Sequence, residues 1–149
     1  MSEEGRIEVR LKKEFLLVFF IISFIIILEL ITNHFSKESV DKIYKEIVSV
    51  NSKLEENNLK KENNTLEKSE INALEEKVKK LKKDWLIEQD KLSFFFEHDE
   101  LEKVTKCIIV LEENARNEEY TDALEDGKEF IYWLNHFKEK DTMELKNIF

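Results

Sequence analysis

The chain has 149 residues, of which 38% are charged, none is proline and two are glycine. Sheets depend on tight turns that favour Gly and Pro, so this composition favours an all-α fold, and the net charge of −9 opposes binding to nucleic-acid phosphates. The single cysteine, Cys107, cannot form an intramolecular disulfide or a cysteine metal cage, and its apolar neighbours indicate a buried thiol.

The first predicted element is an apolar segment, "FLLVFFIISFIIILELIT", at residues 15–32. A helix of this length extends about 27 Å, close to the roughly 30 Å hydrocarbon core of a bilayer. The uncharged run ends at Leu28, but a carboxylate in the last turn, here Glu29, lies near the interface. Residues 24–40 contain neither Ala nor Gly, whereas a signal-peptide cleavage site needs small residues. We therefore expect an uncleaved transmembrane signal-anchor helix at 15–32.

Basic residues on either side of this segment indicate its orientation. The Lys12–Lys13 pair directly precedes it, with Arg6 and Arg10 further upstream. Three more widely spaced lysines follow it, Lys37, Lys42 and Lys45. We expect residues 1–14 to form a cytoplasmic tail and the helical domain to lie outside the cell membrane, which the chain would cross once.

Beyond the anchor, apolar residues recur at steps of three and four, which predicts amphipathic helices. The first seam, capped by Ser36 or Ser39, consists of Val40, Ile43, Ile47, Val50 and Leu54. It stops at the Asn-rich stretch 55–65, where we expect either a weak turn or linker, or a weakly held helical stretch. The second seam has the heptad spacing of a coiled coil and one polar member, Glu88, among Ile71, Leu74, Val78, Leu81, Trp85, Leu92 and Phe95.

Two further helices complete the predicted domain. The third seam ends near Arg116 and consists of Leu101, Val104, Ile108, Leu111 and Ala115. The fourth helix should begin at Thr121 or Asp122, with an apolar face of Leu124, Phe130, Ile131, Leu134 and Phe137. Gly127 lies on that face, where its missing side chain would allow close helix contact. Such helices need partner surfaces, so we expect residues 33–149 to form an antiparallel bundle of three to four helices.

The stretch "SFFFEHDE" at 93–100 holds the residues most able to carry chemistry. His98 and Glu102 share a helix face, but a metal site usually needs three or four converging ligands, so both are weak metal candidates. Catalysis would need a nucleophile, a pocket and a charge stabiliser, which the sequence does not offer. We therefore expect no enzyme activity, no cofactor and no small-molecule substrate.

A structural interpretation of the same stretch is favoured. The second seam extends forward to Phe95, whereas the third seam extends backward to His98 and Phe94, so the apolar stripe changes side here. Either one long helix switches partners, or the helix kinks with a new start near Ser93 or Glu97. In both cases we expect the three phenylalanines to bridge the stripes and His98 to be a partly buried, locally hydrogen-bonded residue.

Three features together resemble a known family: Trp85, then "FFFEHDELEKV", then the closing "NIF" at 147–149. They are similar to the bacterial domain-of-unknown-function family 4363, whose members are short proteins with one N-terminal span and a helical remainder. Phe149 stands where the family more often has Leu. The family carries no established activity, so the resemblance implies a membrane-anchored helical protein that accompanies small multi-pass membrane proteins.

We therefore expect a non-enzymatic interaction or accessory module for a protein partner, either a multi-pass membrane protein or a second copy. The alternative is a metal- or pH-sensing module centred on His98. The residues expected to build the structure or an interaction surface are Trp85, Phe94, Phe95, Phe96, His98, Leu101, Gly127, Ile148 and Phe149.

Overall fold

The computed structural model describes residues 3–146, with side chains described at 12–28, 30–31 and 34–140. Four helices cover this part of the chain: α1 (Glu3–Glu62), α2 (Lys68–Leu92), α3 (His98–Arg116) and α4 (Tyr120–Lys146). The residues between them form turns, so the all-α prediction is confirmed for the described residues. The chain divides into two compact units, with the boundary between Phe35 and Ser36.

The first unit contains the predicted anchor segment, which is helical. Its described large apolar side chains face outward, with exposures between 42% at Ile26 and 75% at Phe15. Over the described ranges, no helix combines the length and the apolar character required to cross a membrane.

In the described residues, the second unit is an antiparallel four-helix bundle. Side-chain contacts define the neighbours: Ser49 of α1 with Lys77 of α2, Trp85 of α2 with Thr105 of α3, Asn114 of α3 with Asp126 of α4, and Asp41 of α1 with Lys138 of α4. Each helix thus touches the next, and α4 returns to α1.

The core consists of the predicted seams. Every member of the first and third seams is buried, while Ile71, Phe95, Leu124 and Ile131 are half-buried at its margins. Periodicity missed two buried residues at the start of α4, Tyr120 and Ala123. The helix begins at Tyr120 rather than at Thr121 or Asp122, because the aromatic ring supplies the first core contact of its face.

The predicted start of the first-seam helix needs correction, and the helical alternative holds for most of the Asn-rich stretch. Ser36 and Ser39 do not cap a helix, because both lie buried within α1. The same helix continues to Glu62, and the turn occupies residues 63–67, with Asn64 in the left-handed region at φ 54°. The Asn-rich stretch remains helical because Asn57 is fully buried and its amide donates to Glu70 O at 3.4 Å. A search for apolar spacing cannot detect such a polar contact.

Candidate functional site

The "SFFFEHDE" stretch forms the turn between α2 and α3. The α2 helix ends at Leu92 and α3 begins at His98, so the kinked alternative, with a new start near Ser93 or Glu97, is the correct one. The amides of Phe95 and Phe96 both donate to Leu92 O, at 2.9 and 3.0 Å. These bonds complete the last turn of α2 and direct the three aromatic rings differently.

The three phenylalanines do not bridge the two stripes equally. Phe96 is 6% exposed and stacks on Phe137 of α4, with ring centroids 4.4 Å apart. Phe95 is half-buried at the core margin. Phe94 is 84% exposed, the highest exposure among the large hydrophobic side chains described. The turn therefore places one ring in the core and offers another to the surroundings.

His98 is exposed, which corrects the expectation of a partly buried residue in the seam. It is the first residue of α3, and the buried face of that helix begins only at Leu101, which is fully buried. Glu102 is also exposed and pairs with Lys106 at 3.1 Å. Among the described side chains, no group of three or more His, Cys, Asp or Glu residues is arranged to hold a metal ion.

A different histidine contacts an acidic partner. The Nε2 atom of His136 lies 3.3 Å from Glu100 Oε1, and Lys140 Nζ donates to Glu100 Oε2 at 2.9 Å. Burial favours the neutral carboxyl, but the hydrogen bonds from Lys140 and His136 outweigh it and lower the pKa of Glu100. The contact joins α3 to α4, and its residues lie 36 and 40 positions apart, beyond the reach of helix periodicity.

Among the charged side chains that the structure describes, Glu88 is the least exposed, and it is the one polar member of the second seam. Its residue is 3% exposed. Ser39 Oγ, Lys42 Nζ and Lys91 Nζ donate to its carboxylate at 2.9, 2.9 and 2.8 Å. Burial alone would raise the pKa of Glu88, but the bonds from Lys91, Lys42 and Ser39 lower it to about 2. The sequence signal was present, since a glutamate in an apolar heptad requires buried partners.

Gly127 makes the close helix contact that its position predicts. A Cβ atom at this residue would lie 2.1 Å from Asn51 Oδ1 on α1. The same Asn51 oxygen is buried and has no hydrogen-bond partner among the described residues. The close approach of α1 and α4 therefore requires glycine at position 127, and it keeps the Asn51 oxygen away from water.

Trp85 and Cys107 are both structural residues. The fully buried Trp85 donates its indole N–H to Thr105 Oγ1 at 2.9 Å and meets the ring of Phe130 edge-on. Cys107 is buried as predicted, and burial, followed by the nearby carboxylates of Glu129 and Asp126, raises the pKa of its thiol to about 12. At neutral pH the thiol is protonated and weakly nucleophilic.

The outer side of the α2–α3 seam presents an apolar strip, which we call the α2–α3 strip: Leu86, Ile87 and Ile109. These side chains are 43%, 46% and 44% exposed. Leu86 follows Lys82 by four residues and Ile109 precedes Glu112 by three, and Lys82 pairs with Glu112 at 2.6 Å. Leu86 and Ile109 therefore lie on the same edge, one turn from that ion pair.

An open groove of about 390 Å³ runs beside the strip. Its lining contains two apolar residues among basic and acidic ones: Lys79, Lys82, Lys83, Leu86, Ile87, Asp90 and Glu112. Sequence reasoning missed this surface, because Leu86 and Ile87 fall outside the core seam of α2. Two other predicted residues, Ile148 and Phe149, lie outside the described residues.

Comparison with known proteins identifies a family for this chain. A family model with the description "Domain of unknown function (DUF4363)" matches residues 30–148. No curated protein and no solved structure matches the chain.

Proposed function

The chain belongs to the family described as a domain of unknown function, DUF4363, and we propose that it is a non-enzymatic, membrane-anchored protein whose bundle binds another protein through the α2–α3 strip. The observation that carries this proposal is the strip itself. It exposes large apolar side chains, Leu86 and Ile109 on one edge and Ile87 next to Leu86, that a protein partner would remove from water.

The groove specifies the chemistry of the partner. Its apolar residues Leu86 and Ile87 are bordered by three lysines and by the carboxylates of Asp90 and Glu112. Two of these lysines already have acidic partners, Lys82 with Glu112 and Lys79 with Glu76. A partner helix with an apolar face would bury Leu86 and Ile87, and polar side chains of both signs at its margins would match the mixed charges around the groove. We propose that this helix belongs to a neighbouring membrane protein, and a second copy of the chain is the competing occupant.

The polar groups that could have supported catalysis have structural partners instead. Glu88 is held by Ser39, Lys42 and Lys91, and the Cys107 thiol is buried. The alternative of a sensing module centred on His98 has no observation in its favour, since that residue is exposed and Glu102 beside it pairs with Lys106.

The proposed anchor is the apolar segment at 15–32, with the N-terminus in the cytoplasm and the bundle outside. It rests on the uncharged run Phe15–Leu28, on the outward apolar side chains and on the Lys12–Lys13 pair before them. Washing native membranes with alkaline carbonate tests the anchor: we expect the full chain to remain in the membrane pellet. An Ile22→Arg variant, which puts a charge at mid-segment, should be released. Release of the unaltered chain would overturn the anchor.

Site-specific photocrosslinking tests the binding surface. A photoreactive amino acid at Leu86 or Ile109 should crosslink the full chain, in its native membrane, to one partner of defined mass. The matched control is Tyr132 on α4, which is 63% exposed and lies on another helix. Mass spectrometry then separates a membrane protein from a second copy. Uncrosslinked monomer at both strip positions, or equal crosslinking from Tyr132, would contradict the proposal.

A further inference from the structure

We infer that, when no partner is bound, two copies of the chain pair through the α2 side of the α2–α3 strip, with their α2 helices antiparallel. This inference rests on the proposed binding surface and adds its regulation, because a partner would have to displace the second copy. A second copy fits this surface because the charges on either side of Leu86 and Ile87 complement themselves.

The outward face of α2 carries two charges with two apolar residues between them. Lys83, Leu86, Ile87 and Asp90 are all exposed, whereas Trp85 on the core face of the same helix is fully buried. Lys83 and Asp90 lie seven residues apart, which is about 10.5 Å along the helix axis and within about 20° of the same direction. Leu86 and Ile87 therefore lie between the charges, one on either side of the line that joins them.

Neither of these two charges has a counter-charge within the chain. The other two lysines of the groove already pair with carboxylates of their own chain. Lys83 and Asp90 have no oppositely charged partner among the described side chains. The outward face of α2 thus offers one cation and one anion to another molecule, in a fixed order along the helix.

An antiparallel second copy satisfies both charges at once. A twofold axis midway between Leu86 and Ile87 brings Lys83 opposite Asp90 of the other copy. It also brings Asp90 opposite Lys83, because a twofold interface repeats every contact. Leu86 then meets Ile87 of the other copy between the two ion pairs. A parallel second copy would instead place like charges against each other, which opposes that arrangement.

The neighbouring residues are compatible with this register. Lys82 falls opposite Lys91 of the other copy, but each of these lysines already pairs with a carboxylate of its own chain. Phe94, which is 84% exposed and follows the end of α2 by two residues, falls near Lys79 of the other copy. An ammonium group over an aromatic ring is a favourable contact. The antiparallel register therefore also gives this exposed ring a partner.

The pairing should be weak and reversible. Stable interfaces bury about 800 Å² on each partner, and a contact through one face of α2 is smaller. A partner helix that covers the whole α2–α3 strip would also bury Ile109 on α3, and it would therefore compete successfully with the second copy. Self-pairing would thus protect the apolar residues from water until the partner arrives.

Sedimentation equilibrium of the purified full chain tests this pairing. The protein is dissolved in density-matched detergent micelles, with micelles in excess over protein, and the dissociation constant of the pair is measured. The variants are Lys83→Glu, Asp90→Lys and the double variant, in which the two charges are exchanged. The matched control is Lys128→Glu, which alters an exposed lysine of α4.

We expect the natural chain to form dimers in a concentration-dependent equilibrium. Each single change replaces two attractions with two repulsions per dimer, which should weaken the pairing about tenfold. The double variant and the control should pair as the natural chain does. The inference is overturned if the natural chain is monomeric at every concentration, if all variants pair equally, or if the double variant pairs no better than the single ones. Partner binding is tested separately, by the photocrosslinking in native membranes, so either proposal can fail without the other.

Discussion

Replacing Glu88 with glutamine tests how the bundle holds a buried charge in an apolar seam. Glu88→Gln keeps the shape of the side chain and a hydrogen bond to Ser39, but it removes the negative charge that Lys42 and Lys91 contact. We expect a loss of stability at neutral pH that disappears in acid.

The magnitude follows from the pKa of Glu88, which is lowered from 4.5 to about 2. A full difference of this size corresponds to roughly 3 kcal/mol, since one pKa unit is about 1.4 kcal/mol. The Lys42 and Lys91 side chains are 46% and 40% exposed. Water therefore screens part of their attraction to Glu88 and solvates their charges when the carboxylate is removed. We therefore expect a loss of about 2 kcal/mol in the free energy of unfolding at pH 7.

The pH dependence has a definite sign. Because folding lowers the pKa of Glu88, its contribution is complete above the unfolded pKa near 4.5 and is lost as the pH falls toward 2. The difference between the natural chain and Glu88→Gln should therefore be constant from pH 7 to about pH 5 and shrink toward zero near pH 2.

Urea unfolding of the full chain in detergent micelles measures this difference, with the combined fluorescence of Trp85 and Trp133 as the signal. The control is Glu125→Gln, an exposed position on α4, which should change stability by less than about 0.5 kcal/mol. A loss for Glu88→Gln that is equal at pH 7 and pH 3, or no loss at pH 7, would refute the assigned ionised, paired state of Glu88.

Three further predictions concern packing and reactivity. Gly127→Ala should destabilise the bundle, whereas the same change in an Asn51→Ala background should stabilise it by up to about 1 kcal/mol through helix propensity. Thermal unfolding of the natural chain, the two single variants and the double variant measures both effects. If Gly127→Ala changed stability equally in the two backgrounds, the close contact with Asn51 would be wrong. Phe96→Ala should lower the free energy of unfolding by about 3–4 kcal/mol, and Phe94→Ala should lower it by less than about 0.5 kcal/mol in micelles. Similar unfolding midpoints for the two variants would refute the different burial of Phe96 and Phe94. A thiol reagent at pH 8 should label Cys107 slowly in the folded chain and rapidly in urea; fast labelling of the folded chain would show that the thiol is accessible.

Helix periodicity predicted most of the fold because the core is built from it. The first and third seams are buried in full, and both follow three- and four-residue steps that only a helix aligns. Periodicity failed where polar groups provide the packing. The Asn-rich stretch continues α1 because Asn57 is buried against α2, a contact set by the partner helix rather than by local sequence.

The candidate surfaces were less accessible to sequence reasoning. His98 drew attention through its acidic neighbours, but it begins a new helix and faces outward. The proposed binding surface at Leu86 and Ile87 lies beside the ion pair of Lys82 with Glu112, which joins α2 to α3. That pairing joins residues 30 positions apart, and no local pattern encodes it. Gly127 was predictable, because a glycine on a packing face requires a close neighbour.

The return of α4 to α1 has a consequence for synthesis of the chain. Asp41 contacts Lys138, 97 residues later, so one side of the first helix acquires its cover only when the fourth has been made. At roughly 5–20 residues per second, ribosomes need about 5–20 s to translate this interval. During that time α2 can shield part of the apolar face of α1, but the side that receives α4 stays open, and chaperones or premature association compete for it.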